Sequence, residues 1–297
     1  MTHRSYGPAT ATRSSGDGPP PWTVVVMTRD RLPGLEGSLP HHEGPVVVVD
    51  NGSRDGTVEA LAGREGVRVL ALGENRGATA RTVGARAAGT ELVAFADDDS
   101  WWAPGALARA AEHFAAHPRL GLLAARVLVG PEERPDPVNA VMAASPLGRT
   151  RAGDVLPGPA VLGFLACGAV VRREAFLSVG GFDPVVFFRG EEERVALDLA
   201  AAGWACAYVD DVVAHHHPSS SRAPRPAALA EEARNDVLTA VMRRPWRVVV
   251  RRAVRAWRAG GPRRRGVAAT LPRLPAALRA RRRLPADVER QAALLDP

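Results

Sequence analysis

The sequence predicts an α/β protein in which a mixed, mainly parallel sheet is flanked by helices and followed by an arginine-rich helical appendage. Three observations carry that expectation. Short β-branched runs alternate with stretches of helical spacing from residue 22 to about residue 208. Three of the first four runs end in polar functional groups: Thr28-Arg29-Asp30, Asp50-Asn51 and Asp97-Asp98-Asp99. The charge then changes sign along the chain, with 20 Arg against 26 Asp plus Glu in residues 1–221 and 19 Arg against 6 acids in residues 222–297.

Taken in order, residues 1–21 are rich in Gly, Pro, Ser and Thr, lack the apolar stretch of a signal peptide, and read as a disordered leader. TVVVMT at 23–28, PVVVVD at 45–50, residues 67–72 and ELVAFA at 91–96 read as buried strands. Between them, residues 57–64 and 78–88 have helical spacing, and residues 104–116 form a further helix with Pro104 in its first turn. Residues 120–129 read as a strand, and the Pro- and Gly-rich stretch 131–159 as a long loop over the site. A strand at 166–171 and a helix at 191–202, stopped by Gly203, complete the body. From residue 227, Arg-laden helical segments are broken by Pro245, Pro262, Pro272, Pro275 and Pro285. The expected organisation is a leader (1–21), a catalytic domain (22–221) and a basic helical appendage (222–297).

Composition narrows the function classes. A chain of 297 residues with 46% hydrophobic and 24% charged residues buries an ordinary globular core. No run of eighteen apolar residues occurs, so no transmembrane helix is expected. Cys167 and Cys206 lack metal-type spacing and read as reduced core residues of a cytoplasmic protein. All 39 basic residues are Arg, which fits a GC-rich genome and gives the choice of Arg over Lys little functional weight. Neither GxxxxGK[ST] nor GxGxxG is present, which weighs against a nucleotidyltransferase or another enzyme with a phosphate-gripping loop. No nucleic-acid recognition motif accompanies the basic tail, so no nucleic-acid partner is expected.

In sheets of this kind ligands bind beyond the carboxyl ends of the strands, where the winding reverses. Asp97, Asp98 and Asp99 stand at such an end, and three adjacent, partly desolvated carboxylates need a cationic balance. A hard divalent cation, Mg²⁺ or Mn²⁺, suits oxygen ligands and leaves positions for phosphate oxygens. In an extended run Asp97 and Asp99 share a side and Asp98 faces the other, so that one acid takes the metal and another a ribose hydroxyl. The alternative is a solvated acidic turn capping the helix near Pro104.

The ordered set of motifs resembles the family-2 inverting glycosyltransferases with the glycosyltransferase A-type (GT-A) fold. The likeness runs from about residue 24 to residue 219. Thr28-Arg29-Asp30-Arg31 looks like the end of the first strand, and VDNGSRDGT at 49–57 is similar to the nucleotide-binding turn. Asn75-Arg76-Gly77 with Arg81 resembles the next helix entry, and Asp97, Asp98 and Asp99 the metal-binding DxD. Gly180-Gly181-Phe182-Asp183 and Gly190-Glu191-Glu192 look like the later acceptor-side and catalytic motifs.

The resemblance implies a nucleotide-diphosphate-sugar donor, with Thr28, Asp30, Asp50, Asn51, Arg81, Asp97 and Asp98 around it. It also implies a metal held by Asp97, Asp99 and a histidine, here His215. The general base is Glu192 by position, with Glu191 beside it; acids at a helix N-terminus are also favoured by its dipole alone. The acceptor is a glycan, a lipid-linked molecule or a small molecule. A non-catalytic nucleotide-sugar-binding protein of the same fold stays open as an alternative.

Trp101 and Trp102 suit either sugar stacking or core packing. Ala166-Cys167-Gly168 would let backbone approach the donor sugar, or simply pack a strand closely. The Trp246 to Trp257 stretch, with its interleaved Arg, reads either as a helix lying on anionic membrane or as a docked helix with a solvated Arg face.

Overall fold

The computed structural model describes residues 18–151, 154–218 and 225–296. The first 17 positions of the expected leader, and the boundary expected between residues 221 and 222, lie outside the described residues.

The strands are β1 (Trp22–Thr28), β2 (Val46–Asp50), β3 (Val67–Ala71), β4 (Leu92–Asp97), β5 (Ser100–Trp102), β6 (Leu120–Val129), β7 (Arg134–Pro135), β8 (Thr150–Arg151), β9 (Asp154–Val155), β10 (Ala169–Arg172) and β11 (Ala205–His216). Helices α1 (Leu32–Ser38), α2 (Thr57–Ala60), α3 (Thr79–Ala87), α4 (Ala106–Ala116), α5 (Pro137–Ala143), α6 (Arg173–Ser178) and α7 (Glu191–Ala201) connect them. They are followed by α8 (Arg225–Arg243), α9 (Trp246–Arg258), α10 (Gly261–Ala268), α11 (Leu274–Arg279) and α12 (Ala286–Leu295).

Among the described residues one mixed sheet runs in the order β3-β2-β1-β4-β10-β6-β11-β5, with β7 on β6, while β8 pairs with β9. β1, β2, β3 and β4 are mutually parallel, and β10 runs antiparallel to both of its neighbours. The chain winds outward from β1 through β2 to β3 and then returns to β1's other side as β4, so the winding reverses between β1 and β4. Register sets Thr28 beside Asp50 and Met27 beside Asp97, which gathers the polar strand ends at that reversal.

The Val-rich runs are buried on both faces, as parallel strands covered by helices must be. Val24 and Val26 pack with Leu35 of α1 and with Leu107 and Phe114 of α4. Val25 packs on the opposite face with Ala80 and Ala85 of α3 and Phe176 of α6. Gly84 lets α3 press onto the sheet, because a Cβ there would run into Val25 and Val49.

Four local expectations change. The strand expected over 166–171 begins only at Ala169, because Ala166–Gly168 forms a 3-10 turn. The helix expected over 104–116 begins at Ala106, after Gly105 at φ 72°, which leaves Pro104 outside it. The helix expected over 57–64 keeps only Thr57–Ala60, since Gly63 and Gly66 adopt positive φ (75° and 74°) and turn the chain into β3. The stretch expected as a long loop contains α5. Asp136 caps it by accepting the Val138 amide at 2.9 Å, ahead of Pro137 at the first turn. Asn139 then bonds both backbone groups of Val127 at 3.1 and 2.8 Å, which ties α5 to β6.

The basic helices pack onto the body through apolar contacts and buried arginines. Val186 joins Leu238, Val241, Met242 and Val249 in one cluster, and Leu197 of α7 joins Val288 and Ala292 of α12 in another. Arg243 pairs with Asp198 of α7. Arg252 bonds Glu193, Asp236 and Asp296, at 2.8, 2.6 and 2.8 Å. Arg244, fully buried, bonds Glu289 and Asp296, each at 2.7 Å.

Removing one partner of such a cluster leaves uncompensated buried charge. Arg244→Ala is expected to lower stability by about 3 kcal/mol, read as a fall in the urea midpoint. Burial alone would raise the Asp296 pKa, but bonds from Arg252 and Arg244 hold it below the usual carboxylate range. Its contribution is therefore present above the ordinary Asp pKa and lost as pH falls through the depressed value. Urea midpoints measured at neutral and acidic pH should show the Arg244→Ala deficit shrinking in acid.

Candidate active site

The carboxyl ends of β1, β2 and β4 set the site's floor. β4 ends at Asp97, and Asp98 and Asp99 form the turn into β5, where the Ser100 hydroxyl accepts the Asp97 amide at 2.7 Å. The alternation expected for an extended run therefore stops at Asp97, and each acid acquires its own partner. Thr28 Oγ1 donates to Asp98 at 3.1 Å. Arg31 spans Asp98 and Asp99 at 3.4 and 3.1 Å. Burial, together with the charges of Asp97 and Asp99, pushes the Asp98 carboxyl up to about 7, against the pull of Arg31 and Thr28.

Arg81 of α3 is 2% exposed and ion-pairs with Asp97 through one nitrogen and with Glu191, 3.5 Å away, through the other. Burial alone would weaken its charge, but the Asp97 and Glu191 carboxylates more than reverse that. Asp97 at the end of β4 and Glu191 at the start of α7 thus meet at one guanidinium, although they are far apart in the chain.

The three glutamates of α7 diverge by helical rotation. Glu191 turns inward to Arg81, and Glu193 turns outward to Arg252. Glu192 lies between them, partly exposed, with no ion pair among the described residues. Burial and the Glu192 charge raise Glu191, and burial chiefly raises Glu192, with Asp97 adding to both. One oxygen of Glu191 has no hydrogen-bond partner among the described residues.

β11 reaches the cluster from the other side. It pairs antiparallel with β5, so that His216 lies opposite Ser100 and His215 opposite Trp101. His216 Nε2 is 3.3 Å from Asp99, and donor atoms of Asp97, Cys167 and His216 lie within 4.8 Å of one another. Cys167, in the 3-10 turn Ala166–Gly168, has its thiol pKa pushed well up by burial. His215 does not join this group. Its ring stacks on Trp101 at 5.6 Å and its Nδ1 is 3.3 Å from Glu133. His217 meets the same Trp101 edge-on at 4.6 Å, and His41 stacks on it at 4.8 Å. His215 and His217 do share a face, as the sequence implied, but the histidine turned to the acids is His216. Trp102 is core, 2% exposed, while Trp101 is partly open.

The loops after β1, β2 and β3 are laced together by the remaining candidates. Asp30, at φ 53°, accepts the Arg54 amide at 2.7 Å, and its own amide donates to Ser53. Asp50 accepts the Ser53 amide at 3.2 Å. Asn51 accepts from the Arg76 amide at 2.7 Å and donates to the Gly77 carbonyl at 3.1 Å. Asp30, Asp50 and Asn51 thereby tie together the loops at the carboxyl ends of β1, β2 and β3. Sequence reasoning gave no role to Arg31 and no metal role to His216 or Cys167. Their placement follows from strand pairing, and the only sequence signal was their nearness to quoted motifs.

The family model for "Glycosyl transferase family 2" matches residues 40–180. An N-acetylglucosaminyl-diphospho-decaprenol L-rhamnosyltransferase of Mycobacterium tuberculosis is 32% identical over 241 residues, which is 69% of this chain and 78% of that protein. The chain belongs to glycosyl transferase family 2. Among solved structures it resembles the Pyrobaculum calidifontis mannosyltransferase PcManGT in complex with GDP-Man and Mn²⁺, with a TM-score of 0.58 at 24% identity, covering 94% of this chain and 79% of that one. It also resembles S. aureus TarS 1-349 in complex with UDP-GlcNAc, with a TM-score of 0.54 at 18% identity, covering 91% and 83%. These likenesses establish the GT-A-type fold, and membership of the family makes this protein a glycosyltransferase that uses a nucleotide-sugar donor.

The loop ahead of α7 is seated against the turn after β3. Gly77, at φ 57°, abuts Phe187, and the Ala78 amide donates to the Phe187 carbonyl at 2.6 Å. A methyl group at residue 77 would collide with that carbonyl in a conformation L side chains rarely adopt. Gly77→Ala is expected to displace the segment carrying Glu191 and Glu192 and to lower kcat roughly tenfold to a hundredfold. Steady-state rates of the variant, with its melting temperature measured alongside, check this.

Proposed function

We propose that this glycosyltransferase moves a sugar from a nucleoside-diphosphate donor to a hydroxyl of a lipid-linked glycan, inverting the anomeric centre, with Mg²⁺ or Mn²⁺ as cofactor. The observation that carries the reading is the Arg81 bridge from Asp97 to Glu191, with Glu192 beside it. One site then offers both diphosphate-side and acceptor-side groups. The acceptor class follows the relative named for a decaprenol-linked substrate, and the reaction belongs to the cytoplasmic side of a membrane.

In this reading the donor's nucleoside lies over the strand ends that carry Thr28, Asp30, Asp50 and Asn51, and Arg81 fixes the carboxylates beneath its diphosphate. Glu192 takes the proton from the acceptor hydroxyl as that oxygen attacks the sugar C1 from the face opposite the departing diphosphate. Glu191 is buried against Arg81 and holds the first turn of α7 in position. Asp97, Asp99 and His216 are the residues that would hold the cation, which fits their mixed oxygen and nitrogen donors and the raised pKa of the Asp98 carboxyl between them. His216 replaces His215 in this set because its ring faces the acids. A bound cation would offset charge on the leaving diphosphate.

Glu192→Gln is expected to retain donor binding and lose about 10²–10⁴-fold in kcat, the usual worth of a general base. The group must be ionised to act, and burial raises its pKa. Turnover should therefore fall in acid through a pH above the ordinary Glu range. Wild-type turnover in the variant, or an acid limb at the ordinary Glu value, would remove Glu192 from the mechanism.

Donor identity is tested by thermal shift with UDP-, GDP- and dTDP-sugars, each with Mn²⁺ and with chelator. One donor should stabilise the wild type only with metal, and Asp99→Ala should abolish that shift. Equal shifts in chelator would remove the cation, and release of pyrophosphate in place of nucleoside diphosphate would overturn the transfer chemistry.

A further inference from the structure

α9 is divided lengthwise into three sectors. Val248, Val249, Arg252 and Ala256 are buried against the body. Trp246, Val250, Val254 and Trp257 recur at helical spacing along an open stripe, with exposures of 54, 59, 40 and 49%. Arg247, Arg251, Arg255 and Arg258 line the adjoining sector, all exposed. A docked helix needs only the first sector, and a solvated face needs only the third. The second is an apolar ridge left in water.

The surroundings of that ridge are cationic. The Arg281 guanidinium lies 4.4 Å from the ring centre of Trp246, and that of Arg264 lies 5.1 Å from Trp257. Arg263, Arg265, Arg279, Arg282 and Arg283 are also exposed on the segments that follow. Among the described residues, no helix is long and apolar enough to cross a membrane.

From this juxtaposition we infer that α9 is a monotopic anchor. The Trp246–Val250–Val254–Trp257 ridge enters the headgroup layer of an anionic bilayer, and the flanking arginines engage lipid phosphates. Charge complementarity selects this occupant: aromatic and aliphatic side chains edged by Arg suit an apolar boundary beneath negative headgroups.

The same helix is joined to α7. Arg252 of α9 grips Glu193 in the first turn of α7, and Asn235 of α8 donates to the Phe188 and Arg189 carbonyls just before it, at 2.6 and 2.7 Å. The buried sector of α9 thereby holds the first turn of α7, while the open ridge lies on a separate sector of the same helix. The inference rests on the acceptor reading for its purpose, but its evidence is separate.

Deleting the helices would strip Arg252 and Asn235 from the body, so the test uses point variants of the full chain. Flotation with phosphatidylglycerol-containing vesicles should carry the wild type, while phosphatidylcholine vesicles should not, and added salt should release it. Trp246→Ser/Trp257→Ser should lower the vesicle-bound fraction roughly tenfold or more and leave the donor-induced thermal shift unchanged. Tryptophan emission of the wild type should shift to the blue on adding anionic vesicles.

Three results would overturn the inference: no binding to anionic vesicles, undiminished binding by the double variant, or a wild-type dimer that the double variant converts to monomer. The last would assign the ridge to a second copy of the chain. Absence of any donor-induced shift, with vesicle binding intact, would sink the proposed donor and acceptor reading alone.

Discussion

The structure turns on one buried guanidinium. Arg81 lies under the sheet's polar edge and neutralises two carboxylates that arrive from opposite halves of the chain, Asp97 at the end of β4 and Glu191 at the start of α7. Without it, those acids would repel across a poorly solvated gap, and loss of one partner from a buried pair of this kind costs about 3–5 kcal/mol. With it, the helix carrying Glu192 is fixed against the strand carrying the acidic turn. Arg81 is itself aimed by close packing, since Gly84 one turn later brings α3 onto Val25 and Val49.

The elements that sequence pattern made legible are those whose residues report their own surroundings. The valine runs within TVVVMT and VVVVD are unbroken because both faces of the parallel strands are covered, and their boundaries agree with β1 and β2 to within one residue. The motifs at strand ends were legible because polar groups after such runs have one place to go. Partner choice was not legible. His215 and His216 differ by one position, and a single step along a strand reverses the face. β11 also carries a register shift between Val209 and Val213, so alternation counted from its buried start does not carry through to the histidines. Arg31 was quoted only as the tail of a motif. Its hold on Asp98 and Asp99 exists because β1 and β4 are neighbours in the sheet, 67 and 68 residues apart in sequence.

Charge counting misled in a different way. The C-terminal stretch has a large excess of arginine, yet its arginines fall into two populations with different physics. Arg243, Arg244 and Arg252 are buried and bond carboxylates of α7, α8 and α12 and the Asp296 side chain. Arg247, Arg258 and their neighbours are solvated and contribute field more than fold. Net charge sums the two and describes neither. The first population makes the helices part of the body's stability, and the second is available for long-range attraction.

The Asn235 side chain, which caps the carbonyls of Phe188 and Arg189, has a practical corollary. A chain shortened at the apparent end of the family motifs would keep Asp97, Asp98, Asp99 and the three glutamates of α7 and lose the donors that fix the segment leading into that helix. Chimeras between relatives should therefore treat residues 225–296 as part of the framework that holds Glu191 and Glu192 and move them together with it.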